Sequence, residues 1–319
     1  MVSDPEEFQY LWKRYWPEDS IFDYWYIRKC FAELFGRESI FVVIANRQKI
    51  KGILPLSWIE EKHCYSFFPG ETWQGKTWLE QNRIYAENAK TYNMLLENVP
   101  GPSDIRYLIP DIKDMNNPAL SVDEFSYQCF PGEFNYSFDG YRQLFSGKSI
   151  RKLDKELSQF DRYGISFRYD HFADLDIMFA INKNTYGENS YFHDPRFMQA
   201  FVSIAAWLRD NNMLRITTVI IGGKVAAVDM GTLCNGTYTL LAGGTHQEFL
   251  GVAKLINFHH IEWACSQKMK CVDFLCGDFG WKQRFHLSAV PLYKLNIPEL
   301  KHSVQPEYSL VPESLSYVV

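Results

Sequence analysis

The chain has 319 residues, 46% of them hydrophobic, 16% aromatic and 22% charged, with a formal net charge of -5. That length is about twice a usual single domain, so two domains or one large one are expected, and the composition excludes a disordered chain. The acidic balance gives no global attraction to DNA or an anionic membrane surface, and no apolar run reaches the ~18 residues of a membrane span. The acidic start, Met1 to Phe8, lacks the basic and apolar regions of a signal peptide, and a cytoplasmic location is the expectation.

The chain opens with helical signals: Trp12 to Trp16 is aromatic, Pro17 to Ser20 breaks it, and Asp23 to Phe35 has helical spacing that Gly36 stops. Ile40 to Ala45 and Ile50 to Trp58 are β-branched and aromatic runs around a polar turn, which predicts a hairpin. A strand over Phe125 to Phe130 precedes a boundary near Pro131 to Gly140. From Ser149 a charged helix follows, with Ile150, Leu153, Leu157 and Phe160 as its apolar stripe and Tyr163-Gly164 at its end. Arg151, Lys152 and Lys155 offer contacts to an anionic acceptor or a tRNA-borne donor, but with Asp154 and Glu156 among them a solvated charged face is the expectation. Ile165 to Tyr169 is a short strand, and helices are expected over Ala173 to Lys183 and Pro195 to Asn211, the second capped by Asp194. Between them the polar, aromatic loop Asn184 to His193 offers Tyr186, Tyr191 and His193 for substrate contact.

A second hairpin, Leu214 to Ile221 and Val225 to Leu233 around Gly222-Gly223-Lys224, repeats the grammar of the first and suggests two related domains. A strand then leads into the Gly-rich loop Gly243 to Lys254 and a helix over Leu250 to Lys268, where N–H groups at a helix start can receive a pyrophosphate. His259 and His260 sit mid-helix without a partner at metal spacing. Seven cysteines, none in a Cys-x-x-Cys pair, read as reduced, buried thiols, and no metal is expected. Glu299 to Val319 reads as a C-terminal tail.

Three segments carry a family resemblance: the helix opening Ser149 to Leu153 with Tyr163-Gly164, the hairpin Gly222 to Ala227, and the signature Asp273 to Phe285 containing Gly277-Asp278-Phe279-Gly280-Trp281-Lys282. Together they resemble the GNAT acyltransferases, in the double-domain branch that includes cellulose-biosynthesis-associated acetyltransferases and, more distantly, the Fem aminoacyl transferases. The N-terminal half matches more loosely through Ser20 to Phe22, Tyr24 to Tyr26 and Gly52 to Leu56. The resemblance implies an α/β (mixed α+β) fold of two tandem GNAT-like domains, each a mixed, mostly antiparallel sheet flanked by helices, over residues 1–137 and 138–298, with the tail at 299–319.

The implied activity is transfer of an acyl group, acetyl or longer, from acyl-CoA to an amine or hydroxyl on a small molecule, peptide or saccharide. Leu241, Ala242 and Gly243 would hold the pantetheine, and Gln247 with Leu250, Gly251, Val252, Ala253 and Lys254 the pyrophosphate. Gln247 precedes Gly251 by one residue more than the family loop has. Asp229, a carboxylate inside an otherwise apolar strand, is a candidate base. Asp278 and Lys282 read either as a helix cap with a surface cation or as groups that orient the acceptor and stabilise an oxyanion. A tRNA-borne aminoacyl donor, as in the Fem branch, is the alternative; the net acidity and the lack of a basic coiled-coil arm count against it. A catalytically silent binding module is the third reading.

Overall fold

The structure is a computed structural model that describes residues 1–47, 49–109, 117–277 and 280–298. Helix α1 (Pro5–Tyr15) starts where Asp4 Oδ1 accepts from Glu6 N at 2.9 Å and a proline takes the first turn. The expected helix from Asp23 begins two residues later as α2 (Trp25–Phe35). Ile21–Asp23 form a 3₁₀ turn, and Asp23 turns inward to accept the N–H of Ser20 at 3.0 Å. Gly36 ends α2 at φ 58°, a backbone state that costs glycine little.

The first hairpin is β1 (Ser39–Asn46) and β2 (Lys49–Ile59), followed by β3 (Cys64–Phe67), the short β4 (Tyr85–Ala86) on β2, α3 (Ala89–Glu97), β5 (Ser103–Leu108) and β6 (Leu120–Cys129). Then come α4 (Phe138–Arg142), α5 (Gly147–Ser158), β7 (Ile165–Tyr169), α6 (Asp174–Tyr186) and α7 (Pro195–Asp210). The Asp194 cap of α7 is present, accepting from Arg196 N at 2.8 Å. The stretch expected as loop from Asn184 instead completes α6 and makes two 3₁₀ turns, Gly187–Asn189 and Tyr191–His193. The second hairpin is β8 (Leu214–Ile221) and β9 (Lys224–Cys234); β10 (Thr237–Thr245), α8 (Val252–Ser266), β11 (Cys271–Asp273), α9 (Trp281–Arg284) and β12 (Ser288–Ile297) complete the chain. The expected tail, 299–319, lies outside the described residues.

Among the described residues twelve strands form one mixed sheet in the order β1-β2-β3-β5-β12-β6-β11-β10-β9-β8-β7, with β4 beside β2. A single pairing scheme occurs twice. Three antiparallel strands, β1-β2-β3 or β8-β9-β10, are followed by a crossover helix, α3 or α8, and a parallel strand, β5 or β11. At the centre the scheme is exchanged: β12, last in sequence, lies between β5 and β6, while β6 pairs with β11. Neither half of the sequence completes its own part of the sheet.

One apolar core lies mostly in the first half, around Phe8, Trp12, Phe41, Leu54 and Leu95, and takes in Leu295 of β12. A second joins the halves: Phe22, Phe31, Trp78 and Leu79 pack with Phe197, Phe201 and Leu241. All seven cysteines are free thiols.

Candidate active site

Strand β10 pairs with β11 only from Thr237 to Thr239; beyond Asp273 the partner strand ends while β10 continues to Thr245. The parallel pair therefore opens into a gap. On its other edge β10 carries a bulge between Leu240 and Ala242 against β9, which redirects the backbone at the gap. Sequence reasoning placed Leu241, Ala242 and Gly243 here, and the gap lies beside them.

The gap is not empty. Residues 77–81 of the first half run through it and bind both lips. Trp78 Nε1 donates to Leu241 O at 3.2 Å on the β10 side, and Glu80 Oε2 accepts from Cys276 N at 2.8 Å on the β11 side. Gln81 Nε2 donates to Asp273 Oδ2 at 2.5 Å, and Asp273 also accepts from Ser126 Oγ and Leu275 N, both at 2.9 Å. The strip is anchored by buried Glu71, whose Oε1 accepts from Trp78 N at 3.1 Å, Leu79 N at 2.7 Å and the Thr77 hydroxyl. Burial pushes the Glu80 carboxyl up to about 7 and raises Asp273 as well.

The carbonyls of β10 that face this gap already have partners. Beside Trp78 on Leu241 O, Asn182 Nδ2 donates to Gly243 O at 2.6 Å and Thr185 Oγ1 to Thr245 O at 3.1 Å. At the start of α8, Gly251 is the N-cap at φ 96° without a side-chain cap. Val252 N donates to Phe249 O at 3.0 Å and Lys254 N to Gly251 O at 2.9 Å. Two of the five N–H groups expected at the pyrophosphate, those of Leu250 to Lys254, are thus engaged in turns. Gln247, Leu250 and Ala253 are exposed, Gln159 Nε2 caps Leu250 O at 3.0 Å, and the Lys254 ammonium pairs with Glu156.

Asp229 lies on β9 opposite Gly243, with its side chain over β10; a Cβ at Gly243 would collide with Asp229 Oδ1. Its Oδ2 meets Nε2 of His260 on α8 at 2.9 Å, and His260 Nδ1 meets the Tyr238 hydroxyl at 3.2 Å. His260 is fully buried and Asp229 14% exposed, so the carboxylate is the accessible end of the chain. Gly231 makes room for the Tyr238 ring, which a Cβ there would strike at 2.5 Å. The cost of a carboxylate in an apolar strand is met by this partner.

Lys282 belongs to a different cluster. It is 2% exposed, and Nζ donates to the carbonyls of Phe274 and Leu275 at 2.8 Å and of Cys276 at 2.6 Å, holding the turn in which Leu275 is left-handed at φ 57°. Burial lowers its tendency to hold a proton. The surface-cation reading of Lys282 is therefore replaced by a buried clamp. Asp278 lies outside the described residues. Of the expected substrate contacts, Tyr186 is exposed overall at the end of α6, while shelter of its hydroxyl and then the Asp229 charge make that group hold its proton more tightly. Tyr191 donates to Thr77 O at 3.2 Å, and His193 is exposed. Sequence reasoning missed Trp78 and Glu80, which carry no local signal. It flagged Asp229 and His260 separately without pairing them.

Among the described residues there is no His, Cys, Asp and Glu cluster that could hold a metal, and no helix is long and apolar enough to cross a membrane. Residues 147–283 match the family described as "Acetyltransferase (GNAT) domain". No curated protein matches the chain in sequence. The fold is similar to the crystal structure of FemX (TM-score 0.58, 8% identity, 93% of this chain and 97% of that one). It is also similar to a conserved protein of unknown function from Bacteroides thetaiotaomicron VPI-5482 (TM-score 0.58, 10% identity, 92% and 98%). L-PGS from Bacillus licheniformis is similar over 94% of both chains (TM-score 0.55, 8% identity). The chain thus has a mixed α/β, GNAT-like fold, and the match of residues 147–283 to an acetyltransferase domain supports an acyltransferase.

Proposed function

We propose that this protein transfers an acyl group from acyl-CoA to an amine or hydroxyl acceptor, with residues 1–137 and 138–298 as its two domains. The observation that carries this reading is Asp229, an accessible carboxylate held over Gly243 beside the bulged stretch of β10 that has run past its pairing with β11. The donor's pantetheine would lie along Leu241 to Gly243 and its pyrophosphate at Gln247 and the loop from Leu250 to Lys254, where the helix start favours negative charge. The acceptor would enter past Tyr186, with Tyr191 and His193 on the same side, and lose its proton to Asp229. Lys282 would shape the far lip rather than touch the reacting carbonyl. Catalysis would be mainly positioning.

A second reading has its own support. The gap-facing carbonyls of Leu241, Gly243 and Thr245 are occupied by Trp78, Asn182 and Thr185, which leaves a pantetheine few acceptors on that edge. A donor that does not lie along β10, such as the aminoacyl-tRNA expected from the Fem resemblance, avoids this conflict.

Calorimetric titration with acetyl-CoA separates the two. Two variants serve as controls: Gly251→Glu, and Ala253→Glu, which adds charge without a left-handed backbone. Saturable binding lost in both supports the acyl-CoA site as proposed. No binding at concentrations on the order of 1 mM removes acetyl-CoA as donor, and aminoacyl-tRNA is then the donor to assay. Full transfer activity in Gly251→Glu would refute the placement of the phosphate.

A further inference from the structure

Three side chains from three elements form one hydrogen-bonded line in the second half: Asp229 on β9, His260 on α8 and Tyr238 on β10. Two glycines make the line fit, Gly243 under the carboxylate and Gly231 under the Tyr238 ring. A phenol is a better donor than acceptor, so Tyr238 O–H gives its proton to Nδ1 and leaves the proton of a neutral imidazole on Nε2, facing Asp229.

Charged and titratable groups from several elements surround this line. On β8 the Arg215 guanidinium lies 3.7 Å from the Trp263 ring centroid and 5.0 Å from that of Tyr169. On α8, His259 stacks on Phe167 at 4.0 Å and meets the Tyr169 hydroxyl at 3.0 Å. Burial, then the neighbouring His260 and Arg215, bring His259 down to about 4, so it adds no positive charge at neutral pH. Burial raises the Tyr238 hydroxyl, which stays protonated. Tyr186 of α6 is a further described group that the Asp229 charge acts on, after burial.

We propose that His260 is a positioning residue for Asp229: its Nε2–H holds Oδ2 and fixes the rotation of the carboxylate, and Tyr238 sets the tautomer that makes this possible. Oδ1, over Gly243, is left for the acceptor's proton, a role that rests on the acyl-transfer reading above. The proton passes from the acceptor nucleophile to Oδ1 as the nucleophile bonds to the acyl carbon; the thioester C–S bond then breaks, the coenzyme A thiolate leaves and takes up that proton from Oδ1, and the imidazole keeps its own proton throughout.

The test reads the pair without donor or acceptor. In protein labelled with ¹⁵N-histidine, His260 is expected to show a protonated Nε2 and a bare Nδ1 at pH 7; a protonated Nδ1 would overturn the proposal. The Asp229 carboxyl, labelled with ¹³C and assigned against Asp229→Asn, is titrated in His260→Leu and His260→Gln. Losing a donor to the charged form raises the midpoint by about one pH unit in His260→Leu, and the Gln amide restores most of it. An unchanged midpoint in His260→Leu means that the histidine only packs, and the proposal fails. Should the variants not fold, the wild-type tautomer decides. If the pair behaves as described while no acyl transfer occurs, the function above falls and the pair stands.

Discussion

The indole of Trp78 donates to the carbonyl of Leu241 across 163 positions of sequence, joining a strip of the first half to the open edge of a strand in the second. The same ring packs on Phe22, Phe31 and Phe201. Trp78→Ala should lower stability by about 3–5 kcal/mol. Trp78→Phe keeps most of the packing but strands a buried carbonyl, for about 1–2 kcal/mol. Urea denaturation measures both. The Phe variant also frees Leu241 O, so acetyl-CoA should bind severalfold tighter if the donor runs along β10. Equal binding would show that it does not use that carbonyl.

Gly243 and Asp229 occupy space that only one side chain can fill. Gly243→Ala should push the carboxylate off His260, destabilise the protein by about 1–3 kcal/mol, and reduce transfer on the order of 100-fold. In an Asp229→Ala background the added methyl meets no carboxylate, so the second substitution should cost almost nothing in stability. This non-additivity identifies the clash as the cause. Additive costs in the double variant would mean that Gly243 is needed for some other reason.

Much of the fold was readable locally. Both hairpins followed from β-branched runs around polar turns, and α7 from Asp194-Pro195, because each signal lies within a few residues of its effect. The exchange of β6 and β12 was not readable, since strand order depends on partners some 160 residues away that leave no local mark. The site was readable as parts. A carboxylate in an apolar strand requires a partner and a histidine at a buried helix position requires another, but the register that brings Asp229 to His260 is set by how α8 lies on the sheet. Trp78 to Gln81 carries no local signal because the partners that define it, Leu241, Asp273 and Cys276, come from the other half.

Glu80 gives a pH dependence of stability with a defined sign. Its carboxyl is raised by burial from the ordinary 4.5 to about 7 in the folded protein. The folded state therefore binds the proton more tightly, and the stabilisation present below pH 4.5 is lost as pH rises toward 7. The effect is on the order of 3 kcal/mol. Glu80→Gln keeps the shape and removes the titration. Its unfolding free energy minus that of wild type should grow between pH 4.5 and 7 and then level off. A constant difference would show that Glu80 ionises as freely folded as unfolded.

His259 should act with the opposite sign. Burial, then the neighbouring His260 and Arg215, hold it at about 4, below the ordinary 6.5. Neutral His259 thus favours folding above pH 6.5, and that contribution disappears as pH falls toward 4, because the unfolded chain takes the proton first. For a ring partly screened by solvent the loss is about 2 kcal/mol. In His259→Leu the acid-side decline should be shallower than in wild type over this window, while the slope between pH 7 and 8 stays the same. Parallel curves from pH 6.5 to 4 would mean that the ring protonates in place, with the Tyr169 hydroxyl turning to accept its proton, and that the stack on Phe167 tolerates the charge.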